Sequence, residues 1–89
     1  MDNKHGQFDY LIRLSERHMV GIHVECSPSD SIKLNYPGPG QTLIANNNGN
    51  LEEQLFNLMF LSDSWKTIPE KERHEIYNDI SHFLRQPNP

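Results

Sequence analysis

Between Asn50 and Trp65 the chain reads NLEEQLFNLMFLSDSW, and this stretch limits the fold more than any other. At about 100° per residue, Leu51, Leu55, Leu58 and Trp65 share one helical face, with Met59 and Leu61 on its flanks. Phe56 and Phe60 point the other way, one turn apart. A helix that is apolar on two sides is covered on two sides. It is too short to cross a bilayer, which takes ~20 apolar residues. Its start is marked as well, because Asn50 can accept from the first-turn N–H groups and Glu53 can reach back to it. The stretch is expected to be the middle layer of a small domain, ending between Ser62 and Lys66.

The segments on either side supply the other layers. Thr67, Pro69 and Glu70 announce a last helix, with Thr67 as its cap, Pro69 in its first turn and Glu70 closing a capping box. Ile76, Ile80, Phe83 and Leu84 form its apolar stripe, with Tyr77 beside it; Lys71, Glu72, Glu75 and Asp79 lie opposite. Near the other end, Phe8, Leu11, Ile12, Ser15 and Met19 recur at helical spacing. They predict an N-terminal helix from about Gln7 to His18, with Asp9 near the positive end of its dipole.

From Val20 the period changes to two. Val20, Ile22, Val24 and Cys26 alternate with Gly21, His23 and Glu25, and Ile32, Leu34 and Tyr36 alternate with Ser31, Lys33 and Asn35. Ser27-Pro28-Ser29-Asp30 between them is turn chemistry. The two runs predict an antiparallel hairpin that leaves His23, Glu25 and Lys33 outside. Pro37-Gly38-Pro39-Gly40 is a turn or stiff bend, Thr42–Ala45 is a candidate third strand, and Asn46-Asn47-Asn48-Gly49 is a loop suited to left-handed backbone angles. The expected fold is α+β: an N-terminal helix, a two- or three-stranded antiparallel β-meander, then two C-terminal helices packed on one face of the sheet. It spans 1–89 as one compact domain, frayed at 1–6 and 86–89. The order helix, short hairpin, helix over Tyr10 to about Pro37 is similar to the β-hairpin docking domains at the ends of nonribosomal peptide synthetase subunits. That resemblance implies a hairpin preceded by a helix, and it assigns no residue a role.

Metal, nucleophile and phosphate chemistry each lack a converging set of groups. Five His invite a metal, but His18 closes the expected helix, His23 and Cys26 point to opposite strand faces, and His74 and His82 are off one face. Cys26 sits on the inward side of a strand, where it reads as a small core residue. The serines fall in turns or at helix ends, and no G-x-S-x-G occurs. Glu52 with Glu53, and Glu70 with Glu72, read as helix-start charges rather than paired catalytic acids. The Pro37–Gly40 run has no Gly-Lys-Ser/Thr ending, and its prolines remove N–H groups a phosphate would need. No catalytic residue, cofactor or metal site is therefore expected, and the chain reads as a non-enzyme.

Twelve acidic residues against eight Lys and Arg give a net charge of −4, the wrong sign for a phosphate-binding face. Arg13, Arg17 and Lys33 could share a face, but Glu16 and Glu25 lie among them. A lone cysteine suits a reducing compartment, and MDNKHGQFDY has no apolar run of a secretion signal. A complete, small cytoplasmic protein off the membrane is expected. The function expected of such a chain is binding another protein, as a regulator or inhibitor of the kind that neutralises a toxin or a host factor. A docking or assembly module of a larger complex is the first alternative, and a nucleic-acid-binding regulator the second. The candidate partner-binding residues are Phe56 and Phe60 on the central helix and His23, Glu25 and Lys33 on the exposed strand face, with a homodimer as one form of partner.

Overall fold

The computed structural model describes residues 5–27, 30–45 and 50–86. Four antiparallel strands come first: β1 (Gly6–Ser15), β2 (His18–Ser27), β3 (Ser31–Leu34) and β4 (Gln41–Ile44). They form one sheet in the order of the sequence. Helix α1 (Leu51–Phe56) follows and runs on through a π-helical turn, Asn57–Leu61, and a 3-10 turn, Asp63–Trp65. Helix α2 (Glu70–Arg85) ends the described chain. The loop expected at 46–49, the Pro28–Ser29 part of the first turn and the ends 1–4 and 87–89 lie outside the described residues.

The architecture is α+β with antiparallel hairpins, but the N-terminal helix is not there. Its segment is β1, and the frayed start expected through Gly6 already belongs to that strand. The same residues carry a second pattern: Phe8, Tyr10, Ile12 and Leu14 alternate with Gln7, Asp9, Leu11 and Arg13. Pairing decides between the two readings. The register sets Phe8 against Val24, Tyr10 against Ile22 and Ile12 against Val20, so one apolar row meets another. A helix would have left that row on β2 without its neighbour. Leu11 alone breaks the alternation, and it is 71% exposed. His18 accordingly opens β2 instead of closing a helix. The likeness to hairpin docking domains lapses with the helix it required.

The sheet is a four-stranded meander. The candidate strand at Thr42–Ala45 is real, one residue earlier, as β4; it pairs Leu43 with Ile32. Between β3 and β4 the chain turns at Pro37–Gly40, where Gly40 N–H donates to the Pro37 carbonyl at 3.0 Å. Gly40 has φ +97°, and a Cβ there would stand 2.8 Å from the Leu34 carbonyl oxygen, so only glycine fits.

Ile12, Ile22, Val24, Cys26, Ile32 and Leu34 line the inner face of the sheet and are buried. Leu51, Leu55, Met59, Trp65, Ile68, Ile76 and Ile80 meet them from the helical layer. Asn50 caps α1 as expected, its side chain accepting from Glu53 N–H at 2.7 Å. The expected cap of α2 fails, because the Thr67 hydroxyl is paired with the Tyr36 hydroxyl at 2.5 Å and the helix begins only at Glu70. Thr67 thus ties the strap into α2 to the end of the β3 region. Ile68, fully buried, belongs to the core by that connection and not by any helical stripe.

The central stretch is not one continuous α-helix either. Ser62 N–H donates to the Asn57 carbonyl, five residues back, at 3.1 Å. This wider turn lengthens the local repeat, so fourth neighbours stay in line. Leu51, Leu55 and Met59 are therefore the buried row, and Leu58, expected among them, is only half-buried.

Candidate partner-binding surfaces

The expected site residues fall on two separate surfaces. His23, Glu25 and Lys33 lie on the outer face of the sheet, opposite the core, because each alternates with a buried neighbour. Phe56 and Phe60 belong to the helical layer. The structure does not bring the two sets together.

On the sheet, Glu25 stands directly across from Lys33, and His23 directly across from Asp9. His23 Nδ1 meets Asp9 Oδ1 at 2.6 Å, and Nε2 meets Glu25 Oε2 at 3.1 Å. The hydrogen bonds to Asp9 first and Glu25 second raise the imidazole above its usual range. His23 N–H also donates to Asn35 Oδ1 at 2.7 Å. His23, Glu25 and Lys33, with Asn35, Gly40, Gln41 and Thr42, edge an open depression of about 300 Å³ beside the Pro37–Gly40 turn. Each carboxylate takes a different ring nitrogen, so the three do not converge on a point. Among the described residues no three His, Cys, Asp or Glu are gathered as metal donors. Asp9 could not be found by a reading that placed it in a helix; strand pairing alone puts it beside His23.

Cys26 is 1% exposed, and burial pushes its thiol up to about 11, far from a reactive thiolate. Ser27, at the end of β2, has its hydroxyl 3.1 Å from His5 Nδ1. Arg13 and Arg17 lie at or beside the β1–β2 tip, and the Arg13 guanidinium donates to the Glu16 carbonyl at 3.0 Å. Lys33 is well apart from both in the third strand, so the three cations do not form one patch.

The helical surface is aromatic. Phe56 and Phe60 lie 5.0 Å apart between centroids, and Tyr77 of α2 meets both edge-on at 5.7 and 5.8 Å. His74 lies 4.7 Å from the Phe60 ring, and the Arg73 guanidinium sits 5.6 Å from its centroid. Arg73 is held in place by donating to the Ile68 and Met59 carbonyls at 2.9 and 3.1 Å. So α2 covers Phe60 in part, while Phe56 stays 41% exposed and Leu61, just beyond, 68% exposed. A second ionic tie fixes the seam: Ser81 and Arg85 both donate to Glu52, at 2.5 and 2.6 Å. The spacing of Phe56 and Phe60 signalled this cluster, but nothing in the sequence said that His74 and Arg73 would join it.

Comparison with known families, with curated proteins and with solved structures finds no match to this chain. Among the described residues no helix is long and apolar enough to cross a membrane.

Proposed function

We propose that this protein is a small non-enzymatic regulator or inhibitor that works by binding another protein, and that the partner docks where α1 and its π turn meet α2. The observation that carries the reading is the aromatic cluster of Phe56, Phe60 and Tyr77, left open on its Phe56 side. Aromatic groups with a polar rim of Arg and His are what partner-binding surfaces concentrate. Arg73, seated over the Phe60 ring and held by the Ile68 and Met59 carbonyls, limits that ring's freedom before a partner arrives. The chemical groups elsewhere favour the same conclusion: the thiol is buried, and the His23 ring nitrogens are both occupied by carboxylates.

Phe56→Asp tests the proposal, since its side chain is exposed enough to accept a charge without burying it. The expected result is a chain that melts within a few degrees of the parent and no longer retains a partner that the parent retains from its host lysate. If Phe56→Asp holds the same partner as tightly as the parent, the aromatic surface is not the docking site.

A further inference from the structure

Among the described residues the border strand β1 pairs with β2 alone, so its outer backbone N–H and C=O groups point away from the sheet. A cleft of about 340 Å³ runs along this edge, lined by Asp9–Arg13 of β1 and by Glu72, Glu75 and Ile76 of α2. Consecutive strand residues point to opposite faces. A cleft that touches all five therefore lies beside the backbone itself, where an added strand would go. The other border differs: on β4 the outward Ile44 carbonyl already accepts from Gln54 Nε2 at 3.0 Å.

We propose that the edge of β1 takes the β1 of a second copy of this chain, antiparallel, about a two-fold axis through Leu11. The sequence of the strand is self-complementary about that point. Antiparallel pairing centred on Leu11 sets Asp9 opposite Arg13 of the copy, Tyr10 opposite Ile12, and Leu11 opposite Leu11. Charges on a border strand normally repel another edge. Here they are of opposite sign and equally spaced from the centre, so in this register they attract. Shifting the centre by one residue loses both charge pairs. Leu11, 71% exposed in one copy, is the apolar contact at the axis. On the outer face the result is a row of alternating charge, with His23 against Asp9 and Asp9 against Arg13 of the copy. Five paired residues span about 15 Å, a small contact, so the association is of the micromolar class.

Sedimentation of the full chain at about 100 μM reads such an equilibrium directly. A mass rising with concentration from 10.4 kDa toward twice that value is expected. Leu11→Lys, at an exposed position, should stay folded and weaken dimerisation at least tenfold. Asp9→Arg and Arg13→Asp should each be monomeric alone, since each sets like charges opposite each other twice. Mixed in equal amounts, they should form a heterodimer, because every pair across the axis is then of opposite sign. General damage to the fold cannot produce that rescue. A parent that stays monomeric at this concentration overturns the inference. So does a mixture that stays monomeric, or a dimer untouched by Leu11→Lys. A dimer lost through Phe56→Asp instead would place the contact on the aromatic surface. The two proposals use different faces, so failure here leaves the partner-docking reading untouched.

Discussion

The π turn at Asn57–Leu61 decides which side chain the core receives, and two alanine substitutions read that decision. On a regular α-helix Leu58 shares the face of Leu51 and Leu55, while Met59 lies on its flank. In the structure the order is reversed: Met59 is 0% exposed and Leu58 only half-buried. Truncating a fully buried Met to Ala removes its transfer free energy and leaves a cavity, typically ~2–5 kcal/mol. Met59 belongs to the same fully buried cluster as Leu55 and Trp65, both also at 0% exposure, so a value of about 3 kcal/mol is expected. Leu58→Ala gives up contacts on one side only and leaves an opening to solvent, for about 1 kcal/mol. With a urea slope near 1.3 kcal/mol/M for a chain this size, the midpoint should fall by about 2 M for Met59→Ala and by less than about 1 M for Leu58→Ala. Urea titration followed by far-UV circular dichroism measures both. If Leu58→Ala is the more damaging of the two, the chain runs through 57–61 as ordinary α-helix and the buried row has been misplaced.

Three other outcomes follow from single contacts. Gly40→Ala forces a Cβ against the Leu34 carbonyl at positive φ and should cost about 1–3 kcal/mol, seen as a lower melting temperature. The His23 imidazole, raised by Asp9 and then Glu25, stabilises the fold fully below its unfolded value of about 6.5; this contribution is lost as pH rises through the elevated folded-state value. Urea midpoints should therefore decline over that window in the parent and stay flat in His23→Gln. Glu52 behaves in the opposite sense: hydrogen bonds from Arg85 and then Ser81 hold its carboxyl below 4.5, so its contribution is present above that pH and lost as pH falls through the depressed value. Glu52→Gln should remove that part of the acid-side loss in a melting series from pH 5 down to about 2.

The parts of the fold that the residues spell out are those where one local pattern has no rival. Val20–Cys26 and Ile32–Leu34 alternate cleanly, and both are strands with the expected face inward. Asn50 and Glu53 mark a helix start, and the helix starts there. The stripe of Ile76 and Ile80 is buried as its spacing requires. Failures occur where two patterns coexist or where a distant partner intervenes. Thr67 has cap chemistry, yet a hydroxyl from Tyr36, far back in the chain, claims it. Met59 and Leu58 differ by one position, and only the backbone's departure from α geometry chooses between them. At the candidate sites, the spacing of Phe56 and Phe60 made their pairing legible. The covering by His74 and Tyr77 depends on how two helices cross, which no local pattern states.

Leu11 connects the misread segment to the surface chemistry. Its apolar side chain strengthens the helical spacing of Phe8, Leu11, Ile12, Ser15 and Met19, and within β1 it is the large apolar member of that series on the outward side. In the folded chain it is the one large apolar residue among the outward positions Gln7, Asp9, Leu11 and Arg13 of β1. Burial within the protomer gives no reason for a leucine there, since a polar residue would keep the alternation intact and guard the border strand better. Positions where a sequence contradicts its own local pattern are where function is expected to have overridden folding. Asp9 and Arg13 stand symmetrically about this one, with opposite charge, on an edge whose backbone has room for another strand. The feature that obscured β1 in the sequence is thus the one that gives its edge a specific register.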